Sequence, residues 1–367
     1  MSSKWQLFLV VFLVSGCGGS GGGSSNLDSV PIPPVAENPW ADVDSVLAAS
    51  EIDELALLVG NSSGELFRHE KGSFEAEAVY QIASASKWLT SATLLALVEQ
   101  GVMQLDDRPQ DYLDYWSRDP ADWRSAITLE QLLSFTAGFH RSPSQPGCIG
   151  NEAVALQDCV AEWYAIGVDA APGTTFHYGP VHMQVAAAMA EVASGQRWQE
   201  VVELTLAIPY QLGSIGFAGN NPRASGGATS SAEAYAKFLQ VQLSGNLIPL
   251  TLDTLAMERT TALMISSKPA SLTQSNADWH YGLGAWRECN QPVWDAQCDT
   301  RMVVSSPGAF GWYPWIDLDN GYYAVLAMEE PLTLLSSPTE VSVSLGTQLQ
   351  PLIEQALANS VTQIAKP

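Results

Sequence analysis

Strand-like segments lie at the two ends of this chain of 367 residues, and helix-like segments fill its middle. Short apolar runs bounded by turn residues predict strands at 54–60 and 65–69, and again at 281–287, 311–317 and 322–329. Segments from both ends can share one sheet only if the middle of the chain leaves it and returns. The order therefore predicts an α/β (α+β) fold, in which the two ends form an antiparallel sheet and the middle is an inserted all-helical lobe.

Apolar residues at helical spacing predict the helices of that lobe and one more at the end of the chain. The predicted helices cover residues 87–100, 127–135, 152–166, 181–194, 231–243, 252–264 and 343–358. Gly101 follows the first of them at the position where a left-handed residue ends a helix. Clefts between a sheet and such a lobe are common ligand sites.

The first 16 residues have the proportions of an export signal. Lys4 precedes an apolar run at 5–14 that is too short to span a bilayer. The run leads into VSGC at 14–17, which looks like a bacterial lipobox, so Cys17 is the expected lipidation site; a plain signal peptide cut nearby is the alternative. Gly, Ser and Pro residues follow. We therefore expect a signal peptide at 1–16, a lipidated tether at 17–40 and a folded domain at 41–367.

The other four cysteines agree with export. Short loop closure favours pairing Cys148 with Cys159 and Cys289 with Cys298, although four cysteines permit three connectivities. An oxidising compartment would allow both bridges, and no C-x-x-C motif or His/Cys cluster supports a metal site instead. The predicted lipid anchor and the two predicted disulfides together indicate a protein of the bacterial cell envelope. We expect it to face the periplasm, with the outer membrane as its attachment site.

The charge of the chain limits its partners. It has 39 acidic residues against 16 Lys and Arg, a net charge of −23, while 46% of its residues are hydrophobic. A surface this acidic repels phosphate groups, so nucleic acid and anionic lipid are not expected partners. Lysine is scarce enough for each of the six to be considered by itself.

Two serine motifs compete as candidate nucleophile sites. Ser62 lies in a G-x-S-x-G match at 60–64, but this match falls between two predicted strands, where Asn and Gly residues form a hairpin turn. A nucleophile elbow instead requires a strand followed directly by a helix. We therefore interpret residues 60–64 as a turn.

The second motif is an S-x-x-K formed by Ser84 and Lys87, at the start of the helix predicted over 87–100. Residues three apart on a helix share a face, so the hydroxyl and the amine can touch, and the helix N-terminus favours an alkoxide. A lysine acts as a base only when burial or positive neighbours lower its pKa. The motif alone leaves a second interpretation open, a serine helix cap beside a surface lysine.

The surrounding segments favour the catalytic interpretation. From about Asp44 to Leu357 the chain resembles the serine β-lactamase-related family of class C β-lactamases, D-Ala-D-Ala carboxypeptidases and family VIII-like carboxylesterases. The resemblance is carried by QIASASK at 81–87, GVMQLDD at 101–107, ITLEQLLSFTAGF at 127–139, PGTTFHY at 172–178, AEVASG at 190–195, GGATS at 226–230 and YGLGAW at 281–286. Phe135 replaces the histidine that is usual in the third of these segments.

The resemblance implies a β-lactamase/transpeptidase-like fold and a role for each site residue. Ser84 would be the acylated nucleophile, Lys87 its general base and Tyr178 a second acid/base, whose phenol suits proton relay if nearby cations lower its pKa. The backbone N–H groups of Ser84 and Ala309 would form the oxyanion hole. This chemistry requires no metal and no cofactor.

Two departures from the family pattern bear on the substrate. The family's Tyr-x-Asn ends here in Pro180, which has no side-chain amide. The third motif, Lys-Thr-Gly in β-lactamases, falls at Ser306-Pro307-Gly308 and lacks the cation that would hold a substrate carboxylate, although Gly308 still permits close backbone approach.

These losses favour a small, neutral ester as substrate over an amide. The resulting expectation is an anchored serine hydrolase of the carboxylesterase type. Two alternatives stay open: a cell-wall or D-amino-acid peptidase, with β-lactamase included, and a non-catalytic binding protein on the same fold.

Overall fold

Both ends of the chain contribute strands to one antiparallel sheet of seven strands. The structure is a computed structural model that describes residues 38–364 apart from 141–146, 246–250, 261, 270, 273–276 and 331–336. Its strands are β1 Leu55–Asn61, β2 Gly64–Lys71, β3 Tyr80–Gln81, β4 Thr175–His177, β5 Ile215–Gly216, β6 Thr229–Ser230, β7 Met264–Ser267, β8 His280–Tyr281, β9 Trp286–Arg287, β10 Val303–Ser305, β11 Tyr313–Asp317 and β12 Tyr322–Ala327. The order in the large sheet is β2-β1-β12-β11-β10-β9-β8. The predicted sheet, built from the two ends of the chain, is confirmed.

The sequence of β1 explains why it lies between two other strands of this sheet. Its residues Leu55 to Gly60 are all buried, as are all six residues of β12, which pairs with it antiparallel. A continuous apolar run suits a strand that is covered on both faces. By contrast, β2 alternates partly buried and exposed side chains and carries four charged residues, as suits the edge of a sheet.

The described helices fill the middle of the chain and flank the sheet. They are α1 Ala41–Ala49, α2 Ser86–Glu99, α3 Leu129–Leu133, α4 Leu156–Ile166, α5 Val181–Ser194, α6 Trp198–Val202, α7 Ala232–Leu243, α8 Thr251–Ala256, α9 Ala296–Asp299 and α10 Pro338–Ile364. The first and last of these pack on each other, and α7 packs on β1 and β12. Every residue of α2 from Ser86 to Leu97 is buried. Such a helix belongs to the core, and it sets the position of whatever lies at its N-terminus.

One predicted helix is too long. The helix expected over 252–264 ends at Ala256 in the structure, and Met264 instead begins β7, which pairs in parallel with β4. Tertiary bonds redirect the intervening backbone: the Arg259 N–H donates to the Tyr281 carbonyl at 2.9 Å. Pairing with β4 therefore overrides the local helical pattern.

Other boundaries also differ from the prediction. The strand expected over 281–287 is the tight hairpin of β8 and β9, in which the Gly282 N–H donates to the Ala285 carbonyl at 3.0 Å. The helix expected from 152 begins at Leu156, and the last helix begins at Pro338, a residue suited to a first helical turn.

Two local predictions can be followed in the structure. Residues 60–64 form the turn between β1 and β2, where the Asn61 side chain accepts a hydrogen bond from the Ser63 N–H at 2.8 Å. Disulfides join Cys148 to Cys159 and Cys289 to Cys298. Cys17 and the predicted signal and tether lie outside the described residues. Within the described part of the chain, no helix is both long and apolar enough to cross a membrane.

The burial of β1 predicts where the sheet tolerates truncation. Leu57 on β1 is fully buried, whereas Leu66 on the edge strand β2 is 42% exposed. We expect Leu57→Ala to lower the free energy of unfolding by about 2–5 kcal/mol, because it removes buried methyl groups and leaves a cavity. Leu66→Ala, the matched control, should cost no more than about 0.5 kcal/mol. Urea denaturation measures both, and equal losses would contradict the assignment of β1 to the core.

Candidate active site

The start of α2 brings the predicted nucleophile and base together. Ser84 lies in a single 3₁₀ turn, Ala83–Ala85, that leads directly into the helix. The Nζ atom of Lys87 lies 3.0 Å from Ser84 Oγ and donates to the Ser225 carbonyl at 2.7 Å. One amine proton is therefore occupied by a backbone acceptor, while the nitrogen stays within reach of the hydroxyl.

Burial makes Lys87 a usable base. Its side chain is 4% exposed, and burial, with a smaller contribution from the positive charge of Arg223, lowers its pKa to about 7. A large fraction of the amine is therefore neutral near neutral pH. The alternative of a helix cap beside a surface lysine does not fit a lysine in this position.

Ala83 is held in a strained conformation immediately before Ser84. Its φ is 44°, in the left-handed region that non-glycine residues rarely occupy. The Ser86 hydroxyl donates to the Ala83 carbonyl at 2.6 Å and accepts from the Ala228 N–H at 3.0 Å. These buried bonds fix the turn and, with it, the direction in which Ser84 points.

Tyr178 completes a triangle with Ser84 and Lys87. It directly follows β4, and its N–H donates to the Ser267 carbonyl at 3.1 Å. The Lys87 Nζ lies 4.6 Å from the centre of the Tyr178 ring, and the Ser84 hydroxyl is near enough to the phenol to influence its pKa. The site residues that the sequence selected from two distant segments are therefore neighbours.

The charge state of Tyr178 differs from the one that suits a base. Burial raises the pKa of this phenol well above its ordinary value, and the neighbouring Ser84 hydroxyl offsets only part of the effect. The sequence suggested that a neighbouring cation would lower the pKa of Tyr178. It did not indicate that the phenol is shielded from water, which raises that pKa. Tyr178 is thus suited to give a proton and take one back, whereas Lys87 is suited to accept the first proton.

Aromatic rings fix the position of Tyr178. Trp286 stacks on its ring at 5.5 Å, and Phe135 and Tyr281 approach edge-on at 5.3 and 6.0 Å. Phe135, which stands where the family has histidine, is part of this packing.

Most aromatic side chains near the site motifs belong to the core. Five of seven such side chains are buried, and His177 and Phe310 are partly exposed. The buried members are Trp88, Phe135, Trp312, Tyr313 and Trp315. They therefore hold the fold together and offer no surface to a substrate.

The third motif lies against the segment that carries Ser84. The Ser306 hydroxyl is buried and donates to the backbone carbonyl of Ser84 at 3.1 Å. A Cβ atom on Gly308 would lie 2.3 Å from the Ile82 carbonyl oxygen, so only glycine fits there. Ala309 follows in a turn, and its role with Ser84 as oxyanion hole stays a prediction.

Ser306 and Pro180 fill their positions without offering a new donor to a substrate. Ser306 uses its hydroxyl to tie two backbone segments together. Pro180 caps α5, and its carbonyl accepts from the Gln184 N–H at 3.3 Å. Within the described residues, no group of three or more His, Cys, Asp or Glu side chains is arranged to hold a metal ion.

Two residues that contribute to the site were not predicted from the sequence. Ser225 acts through its carbonyl, which any residue would provide, and Arg223 acts through its charge. Both immediately precede the GGATS segment at 226–230. Two consecutive glycines there were the one available sign that backbone passes close to the site.

Comparison with known proteins places this site in a family. The beta-lactamase family model matches residues 43–333, most of the chain. A fold built on both ends of the chain, with a serine and a lysine at the start of its buried helix, thus defines a β-lactamase-type serine hydrolase. The chain belongs to the beta-lactamase family.

Individual relatives match only part of this chain, and at low sequence identity. Penicillin-binding protein 4 of Amycolatopsis lactamdurans is 27% identical over 169 residues, 46% of this chain and 42% of that protein. D-alanyl-D-alanine-carboxypeptidase/endopeptidase AmpH of Escherichia coli (strain K12) is 28% identical over 137 residues, 36% of this chain and 35% of its own length. The matches thus span less than half of these curated relatives. A crystal structure of a beta-lactamase-type protein from Bacteroides dorei DSM 17855 superimposes with a TM-score of 0.72 and 25% identity, covering 86% of this chain and 98% of that one.

The buried amine predicts a pH profile. We expect the rate of acylation at Ser84 to rise with pH through a midpoint of about 7, because Lys87 must lose its proton before it can accept another. Lys87→Ala should lower this rate by about 10²–10⁴-fold. Timed labelling of Ser84 by a fluorophosphonate measures both effects. Lys237→Ala, which removes an exposed lysine, is the control, and wild-type labelling by Lys87→Ala would exclude Lys87 as the base.

The close packing of Gly308 predicts a second loss. Gly308→Ala should slow labelling of Ser84 at least about tenfold, because the new methyl group must push away the Ile82 carbonyl and shift the turn before Ser84. Gly346→Ala is a matched control, since its methyl group would meet the Tyr313 ring at an equal 2.3 Å without touching that turn. Equal labelling rates in the two variants would show that the approach of Gly308 does not set the position of Ser84.

Proposed function

We propose that this chain is a carboxylesterase-like serine hydrolase that forms an acyl-enzyme at Ser84. The observation that carries the proposal is the 3.0 Å contact between Ser84 Oγ and a buried lysine whose pKa is about 7. A hydroxyl becomes a strong nucleophile when such a base takes its proton. Membership of a family of serine hydrolases supports the same chemistry.

The proposed reaction assigns one proton movement to each group. Neutral Lys87 accepts the Ser84 hydroxyl proton while Oγ bonds to the ester carbonyl carbon, and the carbonyl electron pair moves onto oxygen. The backbone N–H groups of Ser84 and Ala309 stabilise that oxyanion. As the C–O bond to the alcohol breaks, Tyr178 gives its proton to the leaving oxygen and regains one from the Lys87 ammonium.

Hydrolysis of the acyl-enzyme repeats these steps with water. Water loses a proton to Lys87 and bonds to the acyl carbon, and the returning electron pair breaks the bond to Ser84 Oγ. The Lys87 proton then returns to Oγ. A carboxylic acid leaves, and Ser84 and Lys87 recover their starting states.

Three features favour esters over amides in this proposal. A phenol with a raised pKa is a weak acid, and an alcohol needs less help in leaving than an amine does. Ser306 provides no cation for a carboxylate at the third motif, and Pro180 provides no side-chain amide. We therefore propose a small ester whose group at the third motif is uncharged.

Peptide hydrolysis is the second candidate, because the two curated relatives carry the names of a penicillin-binding protein and a D-alanyl-D-alanine carboxypeptidase. The predicted lipid anchor at Cys17 and the place in the periplasm remain proposals that rest on the sequence of the first 40 residues.

Direct kinetics distinguish these activities. We expect purified protein to hydrolyse short-chain 4-nitrophenyl esters with a higher kcat/KM than a D-Ala-D-Ala peptide or nitrocefin. Ser84→Ala should lower ester turnover by at least about 10³-fold, since the nucleophile is lost. Ser86→Ala does not serve as a control, because the Ser86 hydroxyl fixes the turn; Ser63→Ala, in the exposed turn at 60–64, does. Faster turnover of the peptide would reject the esterase assignment, and unchanged activity in Ser84→Ala would reject the acyl-enzyme.

A further inference from the structure

One arginine beside the nucleophile is left without a partner. The Arg223 side chain is exposed, and it makes no hydrogen bond or ion pair with any residue that the structure describes. Several other arginines in the described ranges form ion pairs with carboxylates, among them Arg68, Arg124 and Arg259, and Arg118 donates to a backbone carbonyl. In a chain with 39 acidic residues, an unpaired guanidinium requires an explanation.

The backbone around Arg223 is held from both sides by buried hydrogen bonds. Gln184 on α5 donates to the Asn221 side chain at 2.8 Å and accepts from the Ala224 N–H at 3.2 Å. Thr90 on α2 donates to the Ala224 carbonyl at 2.6 Å. The loop is thus fixed on two core helices while the guanidinium at its tip remains unpaired, an arrangement that lowers the entropy cost of binding a ligand.

This loop places Arg223 next to the nucleophile. A Cβ atom on Gly226 would lie 3.5 Å from Arg223 Cδ and 3.8 Å from the carbonyl carbon of Ala83, the residue before Ser84. Glycine at 226 therefore keeps open the space between the arginine stem and the catalytic turn. The carbonyl of Ser225, on the same loop, holds the Lys87 amine.

No carboxylate among the described residues forms an ion pair with Arg223. The guanidinium can therefore meet a group from outside the protein. Arginine is well suited to this, because its planar fork binds a carboxylate through two parallel hydrogen bonds.

We propose that Arg223 is an anion-binding subsite for the acyl part of the substrate, so that the preferred esters are monoesters of dicarboxylic acids. The proposal rests on the function proposed above and refines it. The third motif lacks a cation, but the site as a whole does not, so the neutral substrate expected from the sequence is replaced by one with a negative charge in its acyl chain. The effect of the Arg223 charge on Lys87 agrees with its proximity to the reacting atoms.

The test compares esters that differ only in a terminal charge. The substrates are the 4-nitrophenyl monoesters of glutaric, adipic and pimelic acid, each beside a neutral 4-nitrophenyl ester of equal chain length, with spontaneous hydrolysis subtracted. At pH 8 we expect wild-type kcat/KM to favour the acidic ester of at least one pair. Arg223→Ala should lower that preference by about 10-fold to 100-fold, the range of a charge-assisted hydrogen bond.

Two further variants separate binding from other effects. Arg223→Lys should keep part of the preference, because it keeps the charge but loses the fork. Arg197→Ala removes an exposed arginine just beyond the far end of α5, about 20 Å from Pro180 along the helix, and should leave the preference unchanged. High salt should reduce the preference in wild type.

Each outcome supports or overturns the subsite. If Arg223→Ala slows acidic and neutral esters equally and moves the pH midpoint upward, Arg223 acts only through Lys87 and the subsite is rejected. A wild-type enzyme without preference for any acidic ester rejects it as well.

Failure of the proposed function gives a different result, the absence of turnover of every ester. In that case the labelling rates of Ser84 by alkyl fluorophosphonates with and without a terminal carboxylate decide the question. Faster labelling by the acidic probe, lost in Arg223→Ala, supports the subsite, and equal rates, or no labelling by either probe, overturn it.

Discussion

The candidate site depends on keeping the amine of Lys87 away from water. Lys87 is one of twelve consecutive buried residues of α2, and the Ser225 carbonyl accepts the hydrogen bond that water would otherwise accept from its amine. A nearby carboxylate would reverse this effect, because it would stabilise the ammonium. Among the described residues, burial and the positive charge of Arg223 govern the pKa of Lys87, and no carboxylate contributes. Catalysis at this site requires an amine that can be neutral. Without it, no group would accept the proton of the Ser84 hydroxyl, and the Tyr178 phenol and the loop at 221–228 would have no role.

Long-range closure of the fold creates that environment. The Ser225 carbonyl is 138 residues from Lys87, and Ser306, which bonds to the Ser84 carbonyl, is 222 residues from it. The sheet makes the second contact possible, since β12 pairs with β1 and brings the C-terminal strands beside the segment before α2. Strain at Ala83 and the contact of Gly308 are then consequences of three segments meeting at one turn. Local sequence alone would not hold Ala83 in its left-handed conformation.

This division between local and long-range causes explains what could be predicted. A helix places residues three apart on one face, so the contact of Ser84 with Lys87 follows from spacing alone, and the apolar runs of β1 and β12 identify the sheet. The helix expected over 252–264 is shorter in the structure because pairing of β7 with β4 is decided by distant residues. The role of Ser225 carries no side-chain signature, and the raised pKa of Tyr178 follows from desolvation that no spacing reveals.

The net negative charge of this protein and the positive charge of Arg223 have opposite effects on the active site. Their distances from the site determine which effect is larger. A net charge of −23 favours protonated lysines and repels anions over the surface as a whole. At physiological ionic strength, however, charges beyond about 8 Å are largely screened, so the unpaired Arg223 outweighs carboxylates that are more numerous but farther away. Because Lys87 can shed its own charge, Arg223 is the cation that remains next to the nucleophile when the base is active. An acidic chain can therefore keep a locally positive site, provided that no carboxylate lies next to that cation.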